Sequence, residues 1–217
     1  MNKRPLPSNA SVATVGENGQ LVAPAASRNV GALCDLLDQF APLTGQALEL
    51  ASGTGQHIAA FAECRPGMHW QPSEVESERR ASINAYTAGL PNVSKAEVLD
   101  ATIEGWHQPF GGRDLIVLIN LLHLISWAEV ETLVGEAAQA LNANGRLILY
   151  GPFMRNNRLT SAGDQRFHTA LVQQDAEIGY KNDGDVSELL ANHDLKILEV
   201  AEMPANNLAF IVEKSDT

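Results

Sequence analysis

Apolar positions along the chain repeat with two periods. Val30, Leu33, Leu36, Leu37 and Phe40 recur three or four residues apart, which predicts an amphipathic helix closed by Pro42. Residues 46–50 follow as a strand, and Ile58, Phe61 and Ala62 give the next helix its buried side before Pro66-Gly67 ends it. A second strand is expected over 68–72, a helix over 77–88 before Gly89 and Pro91, and a third strand over 95–99, ending at Asp100. Residues 114–120 are an almost unbroken apolar run, the pattern of a strand buried on both faces. Ser126 with Glu129 three positions on forms a capping box for a helix through Leu133, Ala137 and Leu141 to Asn144-Gly145. Residues 146–150 read as a strand, 165–174 and 185–192 as helices, and 196–202 and 208–213 as two final strands separated by residues 203–207.

Strands alternating with helices call for an α/β fold: a doubly wound, Rossmann-like sheet whose right-handed crossovers leave ligands at the carboxyl ends of the strands. Residues 1–27 are rich in Pro, Ser, Asn, Ala and Gly without either period, so they are expected to form an N-terminal arm or lid. Residues 28–217 are expected to be a single domain with a polar cap segment near 152–182.

The chemistry concentrates at the first strand end, Glu49-Leu50-Ala51-Ser52-Gly53-Thr54-Gly55-Gln56-His57. Gly53 and Gly55 allow a tight bend and a close backbone approach to a ligand. A dinucleotide fingerprint would place a third glycine where Ile58 stands, and Glu49 would repel a pyrophosphate. A carboxylate suits a cationic ligand, so the expected cofactor is S-adenosyl-L-methionine (SAM), which carries a sulfonium and no phosphate. Glu74 follows the turn at about the twenty-residue distance at which an acid accepts from a ribose diol. Asp100 supplies a further acceptor for an adenine amino group, and Asn120 ends the central strand.

Charge narrows the partners. A formal net charge of -11 opposes binding to a phosphate backbone, and Arg155, Arg158 and Arg166 lack interleaved aromatics, so no nucleic-acid partner is expected. No apolar stretch has the length of a membrane span, and the N-terminus lacks a signal-peptide core, so neither membrane nor export is expected. Cys34 and Cys64 have no metal spacing and read as buried free thiols of a reducing, cytoplasmic compartment; no metal site is expected.

Ala51-Ser52-Gly53-Thr54-Gly55-Gln56-His57, Trp70-Gln71-Pro72-Ser73, Asn120-Leu121-Leu122-His123, Tyr150-Gly151-Pro152-Phe153 and Met203-Pro204-Ala205-Asn206-Asn207 together resemble the methyltransferase-like 26 family, a domain of unknown function (938). The likeness runs from about residue 23 to the C-terminus, and its last two motifs are far more specific than the glycine turn. It implies a class I SAM-dependent methyltransferase with a seven-stranded sheet whose last strand is antiparallel. It also implies that Arg28 and Asn29 lie near the cofactor or form a lid contact, and that the turn, Glu74 and Asp100 hold SAM. The expected cofactor set is thus Arg28, Glu49, Ala51, Ser52, Gly53, Gly55, His57, Glu74, Asp100, Ala101, Asn120 and Leu121. Gly163-Asp164, His168, Ile178 and Asn182 depart from the family pattern, all within the cap.

Methyl transfer to a small-molecule acceptor needs alignment and exclusion of water more than acid–base help. His123, just past the central strand, and Tyr150, at the end of the next, are the catalytic candidates by position. Trp127, Phe153 and Met154 are candidates for an apolar acceptor wall, and Asn206 and Asn207 for polar contacts with the acceptor. The competing expectations are a SAM-binding module without catalysis that acts through protein partners, and a nicotinamide-dependent oxidoreductase, which Ile58 disfavours.

Overall fold

The structure, a computed structural model, describes residues 12–216 apart from the side chain of Glu17. Residues 1–11 of the expected arm lie outside the described residues. The rest of that arm is ordered differently from the expectation. β1 (Thr14–Val15) and β2 (Leu21–Val22) form a small antiparallel hairpin, and α1 (Pro24–Phe40) begins within the arm, with proline at its first position. That position suits proline because no intrahelical bond is required of its missing N–H.

The remaining elements are β3 (Gly45–Leu50), α2 (Gln56–Cys64), β4 (Met68–Pro72), α3 (Ser77–Tyr86), α4 (His107–Phe110), β5 (Arg113–Ile119), α5 (Trp127–Ala140), β6 (Leu141–Met154), α6 (Ala162–Gln174), β7 (Lys181–Asn182), α7 (Asp183–Asn192), β8 (Leu195–Met203) and β9 (Asn207–Lys214). A seven-stranded sheet runs β4-β3-β5-β6-β9-β8, with β7 paired to the end of β6. The pairs from β4 to β6 are parallel, and β9, the last strand, is antiparallel to both its neighbours. The fold class is therefore the expected one.

Two apolar layers follow from the alternation of side chains along the strands. Ile116 and Leu118 point into a core covered by α5 and α7, while Leu115, Val117 and Ile119 point into a core covered by α1, α2 and α3. A third, small cluster of Leu171, Ile178 and Tyr180 supports the cap over the end of β6. Among the described residues, no helix is long and apolar enough to cross a membrane.

The strand expected over 95–99 does not form. Residues 93–97 meet β4 and the residue after it at isolated bridges, Trp70–Val93 and Ser73–Glu97, with Glu97 N–H donating to Pro72 O at 3.1 Å, and no continuous ladder joins them. Side chains occupy the backbone groups a ladder would use: Asn84 Oδ1 accepts from Ala96 N–H at 2.9 Å, and Gln71 Nε2 donates to Lys95 O at 2.9 Å. The seventh strand is instead the two-residue β7, which pairs Lys181 and Asn182 with Phe153 and Met154. β6 also starts earlier than expected, because Asn144, expected to end a helix, takes a left-handed conformation (φ 58°) inside the strand. Cys34 and Cys64, expected to be buried, are half-buried.

The hairpin is tied to the rim of the sheet. Leu21 N–H donates to Ser82 Oγ at 2.8 Å, and the same hydroxyl donates to Thr54 O in the glycine turn at 2.6 Å. Ala23 N–H donates to Gln56 Oε1 at 2.6 Å. Ser82→Ala leaves two backbone groups without their partner and should cost about 1–3 kcal/mol. Hydrogen exchange should then accelerate in residues 14–23 ahead of the core, and unchanged exchange there would contradict the link.

Candidate active site

The turn after β3 alternates left-handed residues: Ala51 (φ 51°), Gly53 (φ 59°) and Gly55 (φ 96°). It is fastened to the end of β4, since Ser52 N–H donates to Ser73 O at 2.8 Å and Gly53 N–H donates to Glu74 Oε2 at 3.1 Å. The two glycines have different jobs. A Cβ at Gly53 would meet nothing nearer than the Arg79 guanidinium at 3.6 Å and Ala51 O at 3.9 Å, whereas one at Gly55 would lie 2.7 Å from Ile83 Cα. Gly53 leaves the rim uncrowded, while Gly55 lets α3 pack against the turn.

Glu49 is the anomaly of the rim. Only 1% exposed, it has no hydrogen-bond partner for Oε2 among the described residues. Burial pushes its pKa up to about 8; a hydrogen bond from Ser52 pulls it down, and the charge of Glu74 pushes it further up. A buried carboxylate oxygen without a partner is costly, so it marks a place where a cation or donor belongs. Glu74, also buried, is held by the N–H groups of Val75 and Glu76 at 2.8 and 3.2 Å through Oε1. With Gly53 on Oε2, it keeps lone-pair capacity for a further donor. Asp100 spends Oδ1 on Thr102 N–H and Oγ, at 3.0 and 2.6 Å, and Ala101 beside it is buried.

Sequence reasoning missed two apolar side chains here. Val75, directly after Glu74, is 51% exposed, and Ile103, just past Asp100, is 44% exposed. Each stands next to an acid proposed to read an adenosine. Their signal was present in the chain as single apolar residues in otherwise polar post-strand loops.

A buried polar relay covers the other side of the rim. His57 Nε2 and Asn29 Oδ1 lie 2.8 Å apart, and Tyr150 is hydrogen-bonded to both Asn29 and Asn207. His57 stacks on Phe61 with ring centroids 5.7 Å apart, and burial lowers its pKa to about 4, so it is neutral near pH 7 and donates through Nε2. Burial pushes the Tyr150 phenol up, against the hydrogen bonds from the two amides. The structure thus links His57 through Asn29 to Tyr150, and Tyr150 in turn to Asn207. Arg28, one position earlier, is exposed and makes no hydrogen bond or ion pair among the described residues.

Asn120 (φ 57°) closes β5, its N–H donating to Tyr150 O at 2.8 Å, and Leu121 begins the turn that carries His123. His123 is buried under the cap, edge-on to Phe167 (5.6 Å) and Tyr180 (6.1 Å). Burial, and then the charge of Lys181, lower its pKa to about 3. The acceptor-wall candidates separate. Phe153 is fully buried in the core against Phe210, 5.0 Å away, and Met154 packs on the cap cluster. Trp127 is half-buried, with Nε1 donating to Glu131 Oε1 at 2.9 Å. Asn206 Nδ2 donates to Asp164 Oδ2 at 3.2 Å, tying the 203–207 turn to the start of α6, while Asn207 Nδ2 donates to Pro204 O at 2.9 Å.

A groove lined by Glu104, His107, Glu131 and Glu136 lies between α4 and α5 and contains none of the predicted site residues. There His107 satisfies Glu136 through both its N–H and Nδ1, each at 2.9 Å.

The sequence profile of a family described as "Protein of unknown function (DUF938)" matches residues 20–214. The chain belongs to the DUF938 family. That match takes in β2 and the whole of the rim just described. Solved structures similar to this DUF938 chain include an O-methyltransferase family protein from Burkholderia thailandensis, with 18% identity and a TM-score of 0.70, covering 86% of this chain and 56% of that one. Another is an O-methyltransferase family 2 protein from Planctomyces limnophilus in complex with apigenin, with 19% identity and a TM-score of 0.73 over 88% of this chain and 58% of that one. Human N-acetylserotonin methyltransferase in complex with SAM is 14% identical, with a TM-score of 0.70 over 86% of this chain and 55% of that one. The chain therefore spans little more than half the length of these proteins, and at such identities the likeness establishes the fold.

Proposed function

We propose that this chain is a SAM-dependent methyltransferase acting on a small-molecule acceptor. The observation that carries the reading is the unpartnered, buried oxygen of Glu49 beside the left-handed turn at residues 51–55. A buried carboxyl group without a partner, ionised when a cation binds beside it, fits a cationic ligand and opposes a phosphorylated one. Glu74 and Asp100 keep acceptor capacity for the hydroxyl and amino groups of an adenosine. The SAM-bound human structure supports the reading, as do the O-methyltransferases among the similar folds and the motif resemblance to the methyltransferase-like 26 family.

SAM supplies a methyl group on a sulfonium, already activated for in-line displacement. Glu49, Gly53, Glu74 and Asp100 would bind and orient it, with Val75 and Ile103 as apolar neighbours of the adenosine. Asn29 holds His57 and Tyr150 in fixed orientations, so the polar groups facing the acceptor need no rearrangement. The cap cluster of Leu171, Ile178 and Tyr180, with Phe167 over His123, excludes water from the end of β5. Neutral His57 and His123 are weak bases in this setting, so the chain's contribution is alignment more than proton removal.

Calorimetry with SAM and S-adenosylhomocysteine, followed by detection of S-adenosylhomocysteine released with thiol, phenol and amine acceptors, tests the proposal. Both ligands should bind the wild type, Gly53→Arg should abolish binding with the fold intact by circular dichroism, and at least one acceptor class should turn over. Absence of heat with either ligand on folded protein would falsify the cofactor assignment. Binding without turnover across all classes would favour a non-catalytic SAM-binding module.

A further inference from the structure

We propose that Gln56 is a positioning residue that couples the glycine turn to α1 and the hairpin before it, so that a ligand seated on the turn also tightens residues 20–29. The inference rests on the reading of that turn as the cofactor site. Gln56 opens α2 directly after Gly55, and its side-chain amide is the point at which the turn, the end of the hairpin and α1 meet. Oε1 accepts from Ala23 N–H at 2.6 Å and from the Thr54 hydroxyl at 3.1 Å, and Nε2 donates to Ser27 Oγ at 2.8 Å. The partners fix the orientation of the amide: a backbone N–H can only donate, so the atom that faces Ala23 is the oxygen.

A turn with left-handed Ala51, Gly53 and Gly55 bends easily, but its glycines lose much conformational freedom when it is held still, so the hold has to come from outside. Its first half is fixed from the β4 side, by Ser52 N–H on Ser73 O and Gly53 N–H on Glu74 Oε2. Its second half is held from the opposite side. Thr54 O accepts from Ser82 Oγ at 2.6 Å, and that hydroxyl accepts from Leu21 N–H at 2.8 Å, while the Thr54 hydroxyl is taken by Gln56. One residue further on, His57 Nε2 meets Asn29 Oδ1 at 2.8 Å. α1 has alanine at its N-cap, with no side chain to bond the first helical turn, so its start is anchored from α2 through Gln56.

A ligand that rests on Gly53 and the acids beside it restricts the turn, and the Gln56 amide carries that restriction to Ala23 and Ser27. The coupling is reciprocal: order in residues 20–29 favours the turn conformation that the ligand takes. Gln56→Met keeps the length of the side chain and removes all three bonds, which frees α1 and the hairpin from this tie to the turn. Gln56→Glu keeps them, because a carboxylate accepts from Ala23 N–H and from both hydroxyls, and the Ser27 hydroxyl donates as readily as it accepts. Ser27→Ala removes one bond, at an exposed hydroxyl.

The test follows hydrogen exchange of the full chain with and without S-adenosylhomocysteine, alongside calorimetry with the same ligand. Without ligand, Gln56→Met should speed exchange in residues 20–27 and 52–55 together, while β5 and β6 exchange as in the wild type. With ligand, the wild type should slow in both segments. In Gln56→Met the slowing should be confined to residues 52–55, and binding should be roughly tenfold weaker, the ratio expected when the ligand-ready turn falls to about a tenth of the population. Gln56→Glu should regain protection in residues 20–27. Ser27→Ala should show a smaller change of the same kind as Gln56→Met, and it decides the comparison should the methionine variant not fold. Wild-type protection restricted to the turn, a methionine variant that binds as tightly as wild type or speeds exchange in one segment only, or a glutamate variant that behaves like the methionine one would overturn the proposal. If the ligand alters neither segment of the wild type, the cofactor reading fails, and the ligand-free exchange of Gln56→Met still decides the coupling.

Discussion

Replacing Gly55 with alanine should unfold this protein at far lower denaturant than replacing Gly53, although both stand in the same turn. The new methyl at position 55 would lie 2.7 Å from Ile83 Cα and 3.3 Å from Ile83 N, both backbone atoms of α3 that cannot move without displacing the helix. It would also have to hold φ 96°, outside the ordinary left-handed well of an L residue. Overpacking against a backbone together with a strained dihedral should cost roughly 3–5 kcal/mol. At Gly53, φ is 59°, and the nearest atom is the end of a flexible arginine at 3.6 Å, so the cost should be about 1–2 kcal/mol. Urea unfolding of both variants decides it. Equal midpoints would mean that α3 does not depend on the missing side chain at position 55.

That difference shows where the sequence was readable and where it was not. The strand–turn–helix pattern around residues 46–62 located the rim because glycines and apolar periods are local signals. It could not separate a glycine at the open rim from one that faces a helix, since the partner, Ile83, is distant in the chain. Ala51 shares the left-handed conformation of the two glycines, yet alanine carries no such signal. The strand expected over 95–99 failed for the same reason: its β propensity was overridden by Asn84 and Gln71, side chains that take its backbone groups from other elements.

Asn29 was more accessible to reasoning than its place in the resemblance suggests. It lies four residues before Leu33, on the apolar stripe of α1, where a polar residue must find a buried partner. His57 occupies the corresponding place before Phe61 on α2. Two buried polar residues on facing helices predict each other, whereas the link onward to Tyr150 and Asn207 required the sheet order. The burial of Phe153 was invisible because it depends on the antiparallel return of β9, which brings Phe210 alongside.

Glu49→Gln should have opposite effects on ligand binding and on the stability of the ligand-free protein. An ordinary glutamate titrates near 4.5, and Glu49 in the fold near 8, so between these values the folded chain holds a proton that the unfolded chain releases. Stability is then fully present below about pH 4.5 and falls as pH rises to about 8, by up to about 1.4 kcal/mol per pH unit. His57 and His123 act with the other sign. Their folded values near 4 and 3 lie below the ordinary 6.5, so their contribution is present above pH 6.5 and is lost as pH falls toward 3. The ligand-free wild type should therefore be most stable near pH 6.5, the ordinary histidine value, and the glutamine variant should keep its stability through pH 8. A bound sulfonium favours the ionised carboxylate, so the wild type should bind SAM more tightly as pH rises toward 8. At pH 7 it should release close to one proton on binding, measured by calorimetry in buffers of different ionisation enthalpy. The variant should release none and bind about ten- to a hundredfold more weakly, as expected for loss of a hydrogen bond to a charged group. A variant that is less stable than wild type at pH 8, or that releases the same number of protons, would show that the unpaired oxygen of Glu49 is not the group that meets the cation.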